Sequence, residues 1–219
     1  MALKEIKYEK VREKMKPGDV IAFGGKGAFS EIIKMATISP LSHVATVFQT
    51  KVAVDDGTDR FFNQVIESTS LNNFNGVSIN RLSDRIKHYK GNVWWLPLRK
   101  DLRKDVEAHK KFFDFLFDKA QRRIRYDMPQ AVKSALDLLD SIKGPTYNKE
   151  DFSKFFCSEL VAAGLEAAGV VGTVNASEVT PVDLCRWNIY EEDYYQLKVD
   201  KKLKKIKRYN KMDPNQWSD

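Results

Sequence analysis

The chain is poor in residues that bind metals or form disulfides: its 219 residues include only two cysteines, Cys157 and Cys185, and three histidines, His43, His88 and His109. Two thiols cannot build a disulfide scaffold or a four-thiolate zinc site, so neither a metal nor an organic cofactor is expected. Long apolar runs are also missing. None approaches the roughly 20 residues that a membrane-spanning helix needs. The segment Met1 to Lys10 is charged throughout and holds no apolar signal core, so a cytoplasmic, reducing location is expected. The glycines of Gly24-Gly25-Lys26-Gly27 have the spacing of neither phosphate-binding fingerprint. Nucleotide binding and specific nucleic-acid binding are therefore not expected. There is no internal repeat and no linker-like stretch.

A hydrophobic content of 42% is enough for a real core, and a single domain over 1–219, with its core at about 18–199, is the expectation. Charge is unevenly placed. From Lys198 to Asp219 the chain carries eight Lys or Arg against three Asp, which accounts for five of its seven net positive charges. The tail 200–219 reads as a solvated basic segment, with contact to an anionic surface as the functional alternative.

Periodicity gives a coarse map. A charged helix is expected over 4–16, a strand over 20–23 and a two-turn helix over 29–36. Strands follow at 43–50, 61–68 and 77–80, with a turn at 55–59. The strand 92–98 would place Trp94 and Trp95 on opposite faces. From residue 101 apolar side chains recur at helical spacing (Val106, Phe112, Phe113, Leu116, Phe117), predicting an amphipathic helix over 101–120. A second helix is expected over 130–142, in a helical segment reaching from 101 to 142, and a last strand at 194–199. Strands run early and helices late, which points to the α+β class.

The segment 154–168 reads as one helix, with Ser153 as a cap candidate and Gly169 as the stop. Cys157 would then lie in its first turn, where unpaired N–H groups and the helix dipole favour a thiolate. The opposing reading is burial, since free cysteine is among the most buried residue types. Cys185, in Asp183-Leu184-Cys185-Arg186-Trp187, reads as structural. A thiol nucleophile also needs a base and a group that orients the base. His88 lies in a charged segment and reads as a surface residue, and His109 reads as the flank of a helix. His43 opens an apolar strand after Pro40-Leu41-Ser42 and is the base candidate, with a structural histidine as the alternative.

Four segments follow one another in a telling order: Gly18-Asp19-Val20-Ile21, Ser42-His43-Val44-Ala45-Thr46-Val47, Val65-Ile66-Glu67-Ser68 and Phe156-Cys157-Ser158-Glu159-Leu160-Val161. With Tyr126-Asp127 and Thr180-Pro181-Val182-Asp183-Leu184, this resembles the circularly permuted branch of the NlpC-type papain-like cysteine hydrolases, the YiiX/YebB-like group. In that branch the histidine strand precedes the cysteine helix. The resemblance covers about 18–185. It implies a permuted papain-like fold, with an antiparallel sheet or small barrel packed against the helix carrying the cysteine.

By that resemblance Cys157 matches the nucleophile, His43 the base and Glu67 the third member, with Asp127 as rival orienter. The backbone N–H of Cys157 would receive the oxyanion, and Ser42 and Tyr126 would line the substrate pocket. The implied activity is hydrolysis of an amide or ester by thiolate attack, of the peptidase or amidase type. Substrates would be small peptides, amides or lipid-like esters. The alternatives are a lipid acyltransferase or thioesterase on the same dyad, and a non-catalytic binding module that uses the basic tail.

Overall fold

A computed structural model describes residues 2–26, 28–53, 61–71, 74–108, 110–123, 125–126 and 154–218. Its strands in chain order are β1 (Leu3–Glu5), β2 (Val20–Gly25), β3 (His43–Ala53), β4 (Phe61–Leu71), β5 (Phe74–Arg81), β6 (Gly91–Leu96), β7 (Arg125–Tyr126), β8 (Lys154–Phe155) and β9 (Tyr194–Lys198). Its α-helices are α1 (Ala28–Ala36), α2 (Leu82–His88), α3 (Lys100–Ala108), α4 (Lys110–Gln121), α5 (Cys157–Ala167) and α6 (Pro181–Leu184). The fold is mixed α/β. Seven strands form one sheet in the order β1-β9-β6-β2-β3-β4-β5, and β7 and β8 form a separate parallel pair.

Side chains alternate across each strand, so the sheet supports two cores. Val20, Ala22, Val44, Ile66 and Trp94 face the larger one, with Leu116 of α4 and Leu160 of α5. Ile21, Phe23, Ala45, Val65 and Trp95 face the other, with Tyr8, Val11 and Met15 of the N-terminal segment and Leu82 of α2. The two tryptophans thus point to opposite faces, as their adjacency predicts. Phe112 and Leu116 carry the buried stripe of α4, while Phe117 is left exposed.

Several local expectations give way to long-range pairing. The sheet is neither purely antiparallel nor closed into a barrel. β1 runs parallel to β9 while its other neighbouring strands pair antiparallel, and β1 and β5 end the order as separate edges. The segment 4–16 is not a helix: Leu3–Glu5 pairs with Tyr194–Gln196, and two short 3-10 turns follow at Tyr8–Lys10 and Arg12–Lys14. Backbone groups that find partners across the sheet have no need of helical ones. The segment expected as a helix over 101–120 is helical on both sides of His109, as α3 and α4, with His109 itself outside the described residues. The turn at 55–59, the helix at 130–142, Ser153 and Asp127 also lie outside them.

The basic stretch is not simply solvated. Ile206 and Tyr209 are buried, Trp94 Nε1 donates to Lys204 O at 3.0 Å, and Trp217 packs edge-on against Trp187. Its backbone is anchored to the core while lysine side chains such as Lys202 and Lys205 remain exposed. Among the described residues no helix is long and apolar enough to cross a membrane.

Candidate active site

The helix carrying Cys157 starts later than the sequence pattern suggests. Lys154 and Phe155 are extended, paired with Arg125 and Tyr126 in the β7–β8 ladder. Phe156 is the extended N-cap (φ −79°, ψ 157°), which makes Cys157 the first residue of α5. The Phe156 N–H donates to Glu159 Oε2 at 3.1 Å, closing the first turn from inside. None of the hydrogen bonds among the described residues uses the Cys157 N–H. Among the described residues it has no partner, at the positive end of the helix. At the other end Gly169 takes φ +75°, the left-handed conformation that stops a helix at little cost in glycine.

His43 is the first residue of β3, at the end of the sheet where β2 finishes in Gly24-Gly25. The approach there is close: a Cβ on Gly24 would lie 2.3 Å from the Pro40 carbonyl oxygen. The chain between α1 and β3 can therefore press against β2 only because residue 24 has no side chain. That contact delivers Ser42 and His43 to the sheet end. The His43 ring packs at 5.4 Å from the Phe23 ring. Its Nε2 lies 2.7 Å from Glu67 Oε2, and the Cys157 thiol is close enough to act electrostatically on the same ring. With Nε2 engaged by the carboxylate, Nδ1 is the nitrogen left for sulfur.

Glu67, on β4, is fully buried and receives a complete set of donors. Arg85 forks onto it, Nε to Oε1 at 2.6 Å and Nη2 to Oε2 at 2.9 Å. Asn80 Nδ2 donates to Oε1 at 2.9 Å. The Arg85 guanidinium also lies 5.2 Å above the Phe23 ring and 5.6 Å from that of Tyr89. Burial alone would raise the Glu67 pKa, but hydrogen bonding from His43 and the Arg85 charge outweigh it and hold the carboxyl at about 2. Burial likewise pushes His43 down, yet the charge and hydrogen bond of Cys157, joined by Glu67, carry it to about 9.

These shifts have opposite signs in stability. His43 binds its proton more tightly folded than unfolded, so its contribution is whole below pH 6.5 and is lost as pH rises through about 9. Glu67 is the reverse, its contribution present above pH 4.5 and lost as pH falls through about 2. Urea midpoints measured against pH are therefore expected to be highest between about 4.5 and 6.5. The alkaline arm should flatten in His43→Gln and the acid arm in Glu67→Gln.

Arg85 and Tyr89 are not legible as site residues because the segment Asp84 to Lys90 reads as a charged surface, and Asn80 reads only as the end of a strand. A signal was present: Leu82, Arg85, Ile86 and Tyr89 fall on one helical stripe, and an arginine inside such a stripe implies a buried acid. Ser42 is buried. Its Oγ accepts from Gly25 N at 3.1 Å; burial lifts the pKa of the Tyr89 hydroxyl to about 12 against the opposing influence of Ser42. Tyr126 sits on β7, its backbone two positions from the Phe156 cap through the Tyr126–Phe155 pairing; its side chain lies outside the described residues. His88 is exposed, Nδ1 3.0 Å from the Asp84 carbonyl oxygen. Cys185 is buried, and desolvation pushes its thiol far above the ordinary range.

A cleft of about 310 Å³ opens beside His43, lined also by Ser30, Ser42, Thr69, Ser70, Tyr89 and Lys90 among others. His43 retains 13% exposure and borders this cleft, whereas Cys157 is fully enclosed and does not. Among the described residues no group of three or more His, Cys, Asp or Glu is placed to hold a metal ion.

No family model matches the chain, and no curated protein does. Among solved structures it is similar to one titled as metalloprotein yiiX from Escherichia coli O157:H7, at 17% identity and a TM-score of 0.45. That similarity covers 70% of this chain and 66% of the other, so this chain spans just under two thirds of that protein's length. A likeness this distant carries no argument about what the present chain does.

Proposed function

We propose that the chain is a cysteine hydrolase of the permuted papain-like type, acting by acyl transfer on a peptide, amide or ester. The observation that supports this reading is the His43 ring bound at Nε2 to Glu67 Oε2 and acted on electrostatically by Cys157. The Cys157 thiol gives its proton to His43 Nδ1, and the thiolate adds to the substrate carbonyl carbon. Negative charge gathers on the carbonyl oxygen, where the Cys157 N–H at the head of α5 is the donor this reading assigns. The intermediate collapses as the C–N or C–O bond breaks, the leaving group taking the proton from His43. Water then attacks the thioester with His43 as base, releasing the acid and restoring the thiol. Glu67 keeps Nε2 protonated and the ring oriented, and Arg85 and Asn80 keep Glu67 in place. A reducing, cytoplasmic setting suits two free thiols.

The enclosure of Cys157 favours a second reading, a non-catalytic module that binds an anionic surface through its exposed lysines. One experiment separates the two. The folded protein is treated with iodoacetamide near neutral pH, and alkylation is mapped by mass spectrometry. Cys185 is an internal standard for a buried, inert thiol. The hydrolase reading expects Cys157 to be alkylated faster than glutathione while Cys185 is spared. Equal inertness of the two cysteines in the native protein would remove it.

A further inference from the structure

The cleft beside His43 is chemically one-sided. It has the volume of a small binding site, about 310 Å³, and no carboxylate lines it. Glu67, bound to the lining residues His43 and Arg85, already accepts hydrogen bonds at both oxygens. The acid on neighbouring α1, Glu31, is paired with Lys34 at 2.6 Å. The polar groups facing the cleft are unspent by comparison. Among the described residues the side chains of Ser30, Thr69 and Ser70 make no hydrogen bond, and the Lys90 ammonium makes no ion pair. Lys90 is also fixed at its root, because its carbonyl accepts from Lys26 N at 3.1 Å beside the β6 turn.

Three free hydroxyls and an unpaired ammonium around a small concavity make a set of donors with a net positive field. Such a set is poorly matched to an apolar or cationic group. A carboxylate or phosphate would instead gain charge-assisted hydrogen bonds from it. We infer that this cleft receives the anionic end of the substrate, a carboxylate or a phosphate, with Lys90 as counter-ion and Ser30, Thr69 and Ser70 as hydroxyl donors. The inference builds on the proposed hydrolase reading, since it is His43 that joins the cleft to Cys157. An anion seated there would leave its acyl carbon on the His43 side of the sheet end.

The test uses the full chain with its imidazoles followed by 15N NMR, titrated with inorganic phosphate and, separately, with acetate. His43 and His88, which both border the cleft, are expected to shift saturably with at least one of the anions. Which anion does so distinguishes a phosphate-bearing from a carboxylate-bearing substrate. Lys90→Glu is expected to weaken the fitted affinity at least tenfold, about 1.4 kcal/mol. No saturable shift with either anion, or an affinity unchanged in Lys90→Glu, overturns the inference. The outcome is independent of thiol chemistry. Anion binding beside an unreactive Cys157 would retain the cleft and remove the hydrolase, and a reactive Cys157 without anion binding would do the opposite.

Discussion

Arg85→Leu is expected to destabilise the fold by about 3–5 kcal/mol, the cost of leaving a buried carboxylate without its counter-ion. Glu67 is fully buried and Arg85 nearly so, and the guanidinium supplies two of the four hydrogen bonds that the carboxylate accepts. Leucine fills much of the space between Phe23 and Tyr89 but supplies no donor, so the loss is electrostatic before it is steric. Arg85→Lys should recover only part of it, because an ammonium cannot fork onto two oxygens. The measurement is urea unfolding, with a lower midpoint and an unchanged slope. The double variant Glu67→Gln/Arg85→Leu should cost less than the sum of the single changes, since the uncompensated charge is then absent. Additive losses would show that Arg85 acts by packing alone and that the ion pair carries little.

His43→Ala is expected to lower any hydrolysis that depends on Cys157 by about 10²- to 10⁴-fold, the range for loss of a positioned general base. The same change should slow alkylation of Cys157 near neutral pH towards the rate of an ordinary thiol. In the unmodified protein the His43 imidazolium persists until pH passes about 9, so any acceleration of alkylation that depends on it should decay there. Glu67→Gln is a gentler test. Its amide oxygen can still accept from Nε2–H, but the charge that raises the His43 proton affinity is gone, so the alkaline limit should move down in pH. Alkylation of equal rate and equal pH profile in His43→Ala and the unmodified chain would leave Cys157 a buried structural thiol.

Much of the local architecture is readable in the sequence. Strands at β2, β3, β4 and β6 follow from alternation, and Trp94 and Trp95 divide between the two cores because adjacent strand residues must. The scarcity of histidine and cysteine narrowed the candidate chemistry to a few side chains, and His43, Cys157 and Glu67 do converge on one imidazole. The surroundings of that imidazole were not readable. Arg85 looked like one more surface charge in Asp84-Arg85-Ile86-Lys87, and only the packing of α2 against β4 turns it inward onto Glu67. Asn80, read as the last residue of a strand, reaches Glu67 because β5 pairs beside β4 with Glu67 opposite Ser78.

The sequence by itself determined which side chains could do acid–base or thiol chemistry and which faces of the strands and helices are apolar, because those depend on residue type and short-range period. The tertiary structure alone decided where the helix of Cys157 begins, that β1 joins the sheet in parallel, and that the basic stretch is anchored by Ile206 and Tyr209. It also decided that His43 borders an open cleft while Cys157 is enclosed. Each of these rests on hydrogen bonds or burial shared with residues far away in the chain, such as Phe155 with Tyr126 or Leu3 with Tyr194. Local periodicity carries no record of such partners, whereas a backbone group withdrawn from water must find one.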